Sequence, residues 1–243
     1  MPHPWFSSLP RFLRARLSPE GYLGLHLTVG ALLLALAVFV FGHIAEDVVM
    51  AEQITRLDVQ VSNWFHTHAT SSWTPFMLAV THLHSTAGIM ALCLAQAFYW
   101  ARIKAWDWLV TLLVSVPLGM LLNVLLKDIF RRARPAFEHP LLTLDSYSFP
   151  SGHAAAATLF YGVLAAYMIC RVSAWRWRVV IALLATLMVA LVGLSRIYLG
   201  AHYPSDVLAA VAASSGWLAL SLTAVGTWRR RRRMMQGRTD FAA

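Results

Sequence analysis

Six apolar stretches constrain this chain more than any other feature. They cover about residues 23–42, 75–99, 106–126, 153–170, 179–195 and 206–228, and a bilayer core takes about 20 apolar residues per helix. Composition agrees: 58% of residues are apolar and 13% charged, against roughly 45–50% and 25% in an average protein, and mean hydropathy is +0.59. These values exclude disorder, a coiled coil and a disulfide scaffold. The two cysteines, Cys93 and Cys170, fall within or near the inner ends of their spans and are expected as free thiols. The expected fold is all-α: a polytopic membrane protein with six transmembrane helices in one bundle. The fourth and sixth spans are Ala-rich, which lets neighbouring helices approach closely. The spans fill about half the chain and no repeat is visible. The expectation is therefore one membrane-embedded domain over 1–243, with 1–22 as an N-terminal segment and 229–243 as a basic tail. The first apolar run is too long for a signal peptide, and about twenty residues precede it, so it is expected to stay.

A net charge of +9 would suit nucleic acid if the basic residues formed a patch. They sort by topology instead. Arg11, Arg14, Arg16, Arg102, Lys104, Arg171, Arg176, Arg178, Arg229 to Arg233 and Arg238 fall on one side, fourteen of the twenty Lys and Arg. The positive-inside bias makes that side cytoplasmic, with both termini inside. Trp73, Trp100, Trp106, Trp108, Trp175, Trp177 and Trp228 fall at span ends, as an aromatic belt requires. No nucleic-acid partner is needed to explain the charge, and the tail arginines suit anionic headgroups. Arg56, Lys127, Arg131, Arg132, Arg134 and Arg196 remain outside, five of them clustered at the outer ends of spans three and five. A cationic cluster against the bias points to a bound anion. Between the first two spans, Met50, Ile54, Leu57, Val61 and Trp64 recur at three- and four-residue steps, with Glu52, Arg56, Asp58 and Asn63 elsewhere on the wheel. This predicts an amphipathic interfacial helix, read as a packing element over the bundle in preference to a guide for lipid substrate.

Three outer segments carry chemistry: Lys127 to Pro135, Ser148 to His153, and Ser195 to Asp206. From His153 to Arg196 is 43 residues, two membrane passes and a short inner loop, so the segments return to one face. Lys127, Arg134 and Arg196 supply positive charge and forked donors suited to phosphoryl oxygens. Ser151 and the Gly152 amide sit just before a helix, where free N–H groups favour an anion. Asp206, four residues beyond His202, can hold one ring nitrogen protonated and aim the other at phosphorus, as in the base-plus-orienter logic of a triad. His153 has no adjacent acid and fits a general acid for the leaving oxygen.

Together the segments resemble the three-part signature of the type 2 phosphatidic acid phosphatase superfamily, which also includes the vanadium haloperoxidases. The pattern is Lys-x6-Arg-Pro, then Pro-Ser-Gly-His, then Ser-Arg-x5-His-x3-Asp, and all eleven specified positions are present in order. The resemblance implies metal-independent hydrolysis of a phosphomonoester or diphosphate through a phosphohistidine, without a cofactor. It makes His202 the nucleophile, Asp206 its orienter and His153 the acid, with Lys127, Arg134, Ser151, Gly152 and Arg196 binding phosphate. The expected substrate is a lipid phosphate at the outer face of the plasma membrane: isoprenyl (undecaprenyl) diphosphate, phosphatidic acid or phosphatidylglycerol phosphate.

Other readings stand beside these. Phosphotransfer to a lipid acceptor would use the same intermediate. Peroxidase chemistry is disfavoured because those relatives are soluble and larger, and transport because every motif residue sits at a span end rather than near the midplane. Arg131 and Arg132 are divided between headgroup contact and surface charge. His82 and His84 are read as hydrogen-bonded interior groups rather than ligands, and Asn123 as a brace for Lys127 or a helix–helix hydrogen bond. His43, His66 and His68 lack metal-like partners at usable spacing.

Overall fold

The computed structural model describes residues 24–239 apart from 139, 143 and 145. The 1–22 segment with Arg11, Arg14 and Arg16, residues 240–243, Asp145, and the side chains of Arg233 and Arg238 therefore lie outside the described residues. Among the described residues the chain forms eight helices and no strand. They are α1 (Leu25–Val49), α2 (Gln53–Thr67), α3 (Trp73–Leu83), α4 (Thr86–Arg102), α5 (Trp106–Phe130), α6 (Gly152–Ile169), α7 (Trp175–Tyr198) and α8 (Pro204–Thr239). Helices α1, α5, α6, α7 and α8 are each long and apolar enough to cross a bilayer, and the bent pair α3 with α4 makes a sixth candidate when taken as one span.

Helix α6 is the centre of the bundle, packed against α5, α7 and α8. Its first two turns bury Ala154, Ala155, Ala156, Ala157 and Leu159, and small side chains there let three neighbours close in. Helix α1 leans on α8. A Cβ on Gly30 would run into Thr223, and one on Gly216 would lie 3.0 Å from Ala37, so the two backbones nearly touch. The outward faces carry Leu32 and Phe39 on α1, Leu121 on α5 and Leu183 and Leu187 on α7, all exposed. That surface suits lipid chains.

Three sequence expectations change. The second span is not one helix: α3 and α4 meet at a 53° bend. Ser85 caps α4, accepting from the Gly88 N–H at 3.3 Å, and any Cβ on residue 88 would strike the Leu83 carbonyl. A serine cap inside an apolar run restarts the helix on a new axis. The last helix does not stop with its apolar stretch near residue 228 but carries the basic tail on as helix to Thr239, because Arg, Met and Gln propagate a helix well. Helix α2 does lie over the bundle, against α1, α7 and α8, yet its fully buried side chains are Asp58 and Ser62, while Leu57 and Trp64 are exposed. The polar side faces the protein because it finds partners there.

Candidate active site

The three segments meet at one end of the bundle. Helix α5 ends at Arg131 in the left-handed region (φ 46°), and the following loop returns so that the Ser148 N–H donates to the Arg132 carbonyl at 2.8 Å. A cis Phe149–Pro150 bond precedes α6, and the Ser151 N–H donates to the Asp206 carbonyl at 3.0 Å. Between α7 and α8 the Ala201 and His202 N–H groups donate to the Arg196 carbonyl. Gly200, at φ +68°, makes that turn, and Phe137 fills the place of its missing Cβ.

Pro204 opens α8, so Asp206 lies in the first turn and its Oδ2 accepts from the Tyr203 N–H at 2.9 Å, the returning half of a capping box. His202 Nδ1 stands 3.4 Å from Asp206 Oδ2. It is equally 3.4 Å from Ser148 Oγ, which donates a short hydrogen bond to the same carboxylate oxygen. The expected pair is thus a trio. His202 Nε2 faces Arg134 Nη1 at 3.2 Å. Burial pushes the His202 pKa down to about 4, against the upward pull of Asp206, and Arg134 and Arg196 lower it further. At neutral pH the ring is neutral, and with the proton on Nδ1 toward Asp206 a lone pair is left on Nε2.

The cations form a shell around this ring. Lys127 Nζ donates to the Tyr147 carbonyl at 2.5 Å. Arg134 donates to the Ser146 and Ala201 carbonyls at 2.7 and 2.5 Å. Arg196, only 2% exposed, donates to Thr81 Oγ1. Among the described residues none of these three cations is paired with a carboxylate. Ser151 occupies the N-cap of α6 without capping it, and its Oγ, Arg196 Nε and Asn123 Nδ2 are buried without a partner. Asn123 Oδ1 lies 3.5 Å from the place a Cβ on Gly152 would take, so this amide adjoins the start of α6. His153, the next residue, lies within electrostatic reach of Arg196, His202, Arg134 and His84. Cations without counter-anions, beside donors without acceptors, describe a site for a compact anion. Among the described residues no three His, Cys, Asp or Glu side chains gather to hold a metal ion.

The eight residues singled out in the sequence all lie at this end of the bundle. Arg132 is neither headgroup contact nor surface charge. One of its nitrogens donates to Asp206 Oδ1 at 2.7 Å and to Ser205 Oγ at 2.8 Å, the other to Asp58 Oδ2 at 2.7 Å. Its guanidinium lies 4.3 Å over the Tyr203 ring. Arg131 is exposed, donating to the Asp128 carbonyl. His84 is an interior group, bonded to the Val80 carbonyl at 2.8 Å and the Tyr161 hydroxyl at 2.7 Å, whereas His82 is exposed. Asn123 Nδ2 is buried without a partner, so it donates no helix–helix hydrogen bond. Ser148, Asp58 and Thr81 went unassigned in the sequence, because an isolated hydroxyl or a carboxylate on a different helix carries no spacing signal.

Residues 108–230 match the PAP2 superfamily. The chain is 36% identical over 136 residues to phosphatidylglycerophosphatase B of Bacillus subtilis (strain 168), covering 54% of this chain and 65% of that protein. It is 31% identical over 124 residues to undecaprenyl-diphosphatase of Sulfolobus acidocaldarius, covering 49% of this chain and 50% of that one. The chain thus spans less than two thirds of the length of these curated relatives. The crystal structure of a transmembrane PAP2-type phosphatidylglycerolphosphate phosphatase from Bacillus subtilis is similar at a TM-score of 0.65 and 28% identity, covering 79% of this chain and 93% of that one. All three chemistry-bearing segments lie inside the matched region, which takes in half the chain, and the chain belongs to the PAP2 superfamily.

Proposed function

We propose that this protein hydrolyses a lipid phosphate or diphosphate at the outer face of the plasma membrane through a phosphohistidine on His202. The observation that carries the reading is the set of unpaired cations Lys127, Arg134 and Arg196 beside the partnerless donors of Ser151 and Arg196, all at the His202 end of the bundle. A phosphoryl group supplies the missing negative charge and acceptors at once. His202 Nε2 attacks phosphorus while the bond to the lipid oxygen breaks, and His153 gives that oxygen its proton. The cations and the Gly152 amide hold the equatorial oxygens as charge builds on them. Water then attacks the phosphohistidine, His153 takes back a proton, and phosphate leaves. No step calls for a metal.

Isoprenyl diphosphate, phosphatidic acid and phosphatidylglycerol phosphate are the candidate substrates, and the names of the relatives support the first and the last. The test is phosphate release by purified protein from a panel of these lipids, with His202→Ala alongside. Release by the wild type and none by the variant is expected. Release that survives His202→Ala would reject the phosphohistidine.

A further inference from the structure

Asp58 is the one acidic side chain that α2 buries, and it belongs to none of the three segments. Both of its oxygens are engaged: Oδ1 accepts from the Ser205 N–H at 2.9 Å, and Oδ2 accepts from Ser205 Oγ and from Arg132 at 2.7 Å. Arg132 hands its other nitrogen to Asp206 Oδ1. Ser205 is adjacent to Asp206 in the first turn of α8, so Asp58, Arg132, Asp206 and Ser205 form a closed ring of contacts. Asp206 Oδ2 is meanwhile held by Ser148 and the Tyr203 N–H. The Asp206 carboxylate is pinned on both oxygens, and the direction left open is toward His202. Arg132 also donates to Ser205 Oγ and lies over the Tyr203 ring, but its second ion pair, to Asp58, is the one that holds the other side of the guanidinium fork.

We propose that Asp58 of the interfacial helix and Arg132 are positioning residues for the His202–Asp206 pair, and this rests on the reading of His202 as nucleophile. Neither touches the reacting atoms. Their charges still matter: Asp58, Arg132 and Asp206 sum to one negative charge beside the imidazole. Neutralising Asp58 leaves Arg132 to cancel Asp206, and the imidazolium form of His202 loses support. Neutralising Arg132 leaves two carboxylates, and imidazolium gains support. The other charged or titratable groups around His202 are Arg134 from the loop, Arg196 from α7, His153 from α6 and Tyr203 under the Arg132 guanidinium, with Lys127 of α5 near Asp206. All are the same in every variant below.

The experiment measures kcat, KM and the acid limb of kcat/KM on a soluble aryl phosphate, for which no lipid has to reach the site. Asp58→Asn keeps the shape of the side chain and should lower kcat on the order of 10–100-fold with KM little changed, by analogy with the loss when an outer-shell partner of a metal-ligating histidine is removed. Its acid limb should move to lower pH. Arg132→Gln should move the limb to higher pH, and the double variant should return it near the wild-type position while kcat stays low. Reading shifts against the wild type cancels the ionisation of the substrate. Arg131→Gln, the same charge lost at an exposed neighbour, should leave the limb in place. A merely structural role would give no opposed shifts. Unchanged kcat and limb in Asp58→Asn, or shifts of the same sign in both single variants, would overturn the proposal while an inert His202→Ala left the nucleophile standing. An active His202→Ala would take both down.

Discussion

Arg196 shows at a single residue what this site asks of the fold. It is a cation removed from water, with one donor on Thr81, one donor unpartnered and no carboxylate beside it. A buried charge without a counter-charge costs stability until an anion arrives. Arg196→Met should therefore leave the unliganded protein as stable as the wild type or up to about 4 kcal/mol more stable, the range seen when buried ionic groups give way to apolar ones. The same change should cost kcat/KM about 30-fold or more, as truncating a buried charged partner does. Thermal melting in detergent, with and without vanadate, reads both: the variant's melting temperature should not fall, and vanadate should no longer raise it. A clear drop without vanadate would mean that Arg196 is paired within the protein. The two histidines separate by leaving group. A lipid alkoxide needs a proton to depart, and an aryl oxide leaves almost unaided. His153→Ala should thus lose most of the roughly 10²–10⁴-fold of a general acid in kcat/KM on phosphatidic acid and little on an aryl phosphate. His202→Ala should lose both. Equal losses for His153→Ala would make His153 a phosphate ligand instead.

At the scale of elements, legibility follows the reach of each signal. The spans were readable because apolar runs are local and long. So were the eight motif residues, which sit at fixed spacings beside span ends. The clamp was not: Asp58 and Ser205 are 147 residues apart, and Arg132 and Asp206 are 74 apart, and no period joins such pairs. The wheel of α2 even misleads, since it sorts polar from apolar without showing that the polar side has Arg132 and Ser205 waiting. The α3–α4 break hides for the opposite reason. Ser85 and Gly88 are small residues in an apolar run, and only their geometry turns them into a cap and a close approach. That break brings Thr81 to Arg196 and His84 to Tyr161. Gly88→Ala forces a Cβ against the Leu83 carbonyl and should destabilise by about 1–3 kcal/mol, as overpacking does, with a matching fall in melting temperature. Activity should fall with it, because Thr81 no longer holds Arg196. A variant that melts and turns over like the wild type would show that the bend does not depend on this glycine.

Across the whole molecule, charge and chemistry divide between the two ends of the bundle. The ends of α5, α6, α7 and α8 that carry Lys127, Ser151, Arg196 and Asp206 meet at one end through contacts between their loops. Arg102, Lys104, Arg171, Arg176, Arg178 and Arg229 to Arg232 lie one helix length away, and on the positive-inside bias we propose that this end is the cytoplasmic one. In the proposed orientation the cations of the site stand on the disfavoured side, where a bound phosphoryl group would offset their charge. The proposed outward-facing site would limit the substrate to a lipid phosphate of the outer leaflet and release phosphate outside the cell. Single cysteines test this directly. In a Cys93→Ser, Cys170→Ser background, Glu138→Cys should react with a membrane-impermeant maleimide in intact cells, and Gln236→Cys only after permeabilisation. Phosphate release should be retained by both variants, which shows that the labelled protein is the folded one. Labelling of position 236 in intact cells with position 138 protected would reverse the orientation, and the substrate would then have to be sought in the inner leaflet.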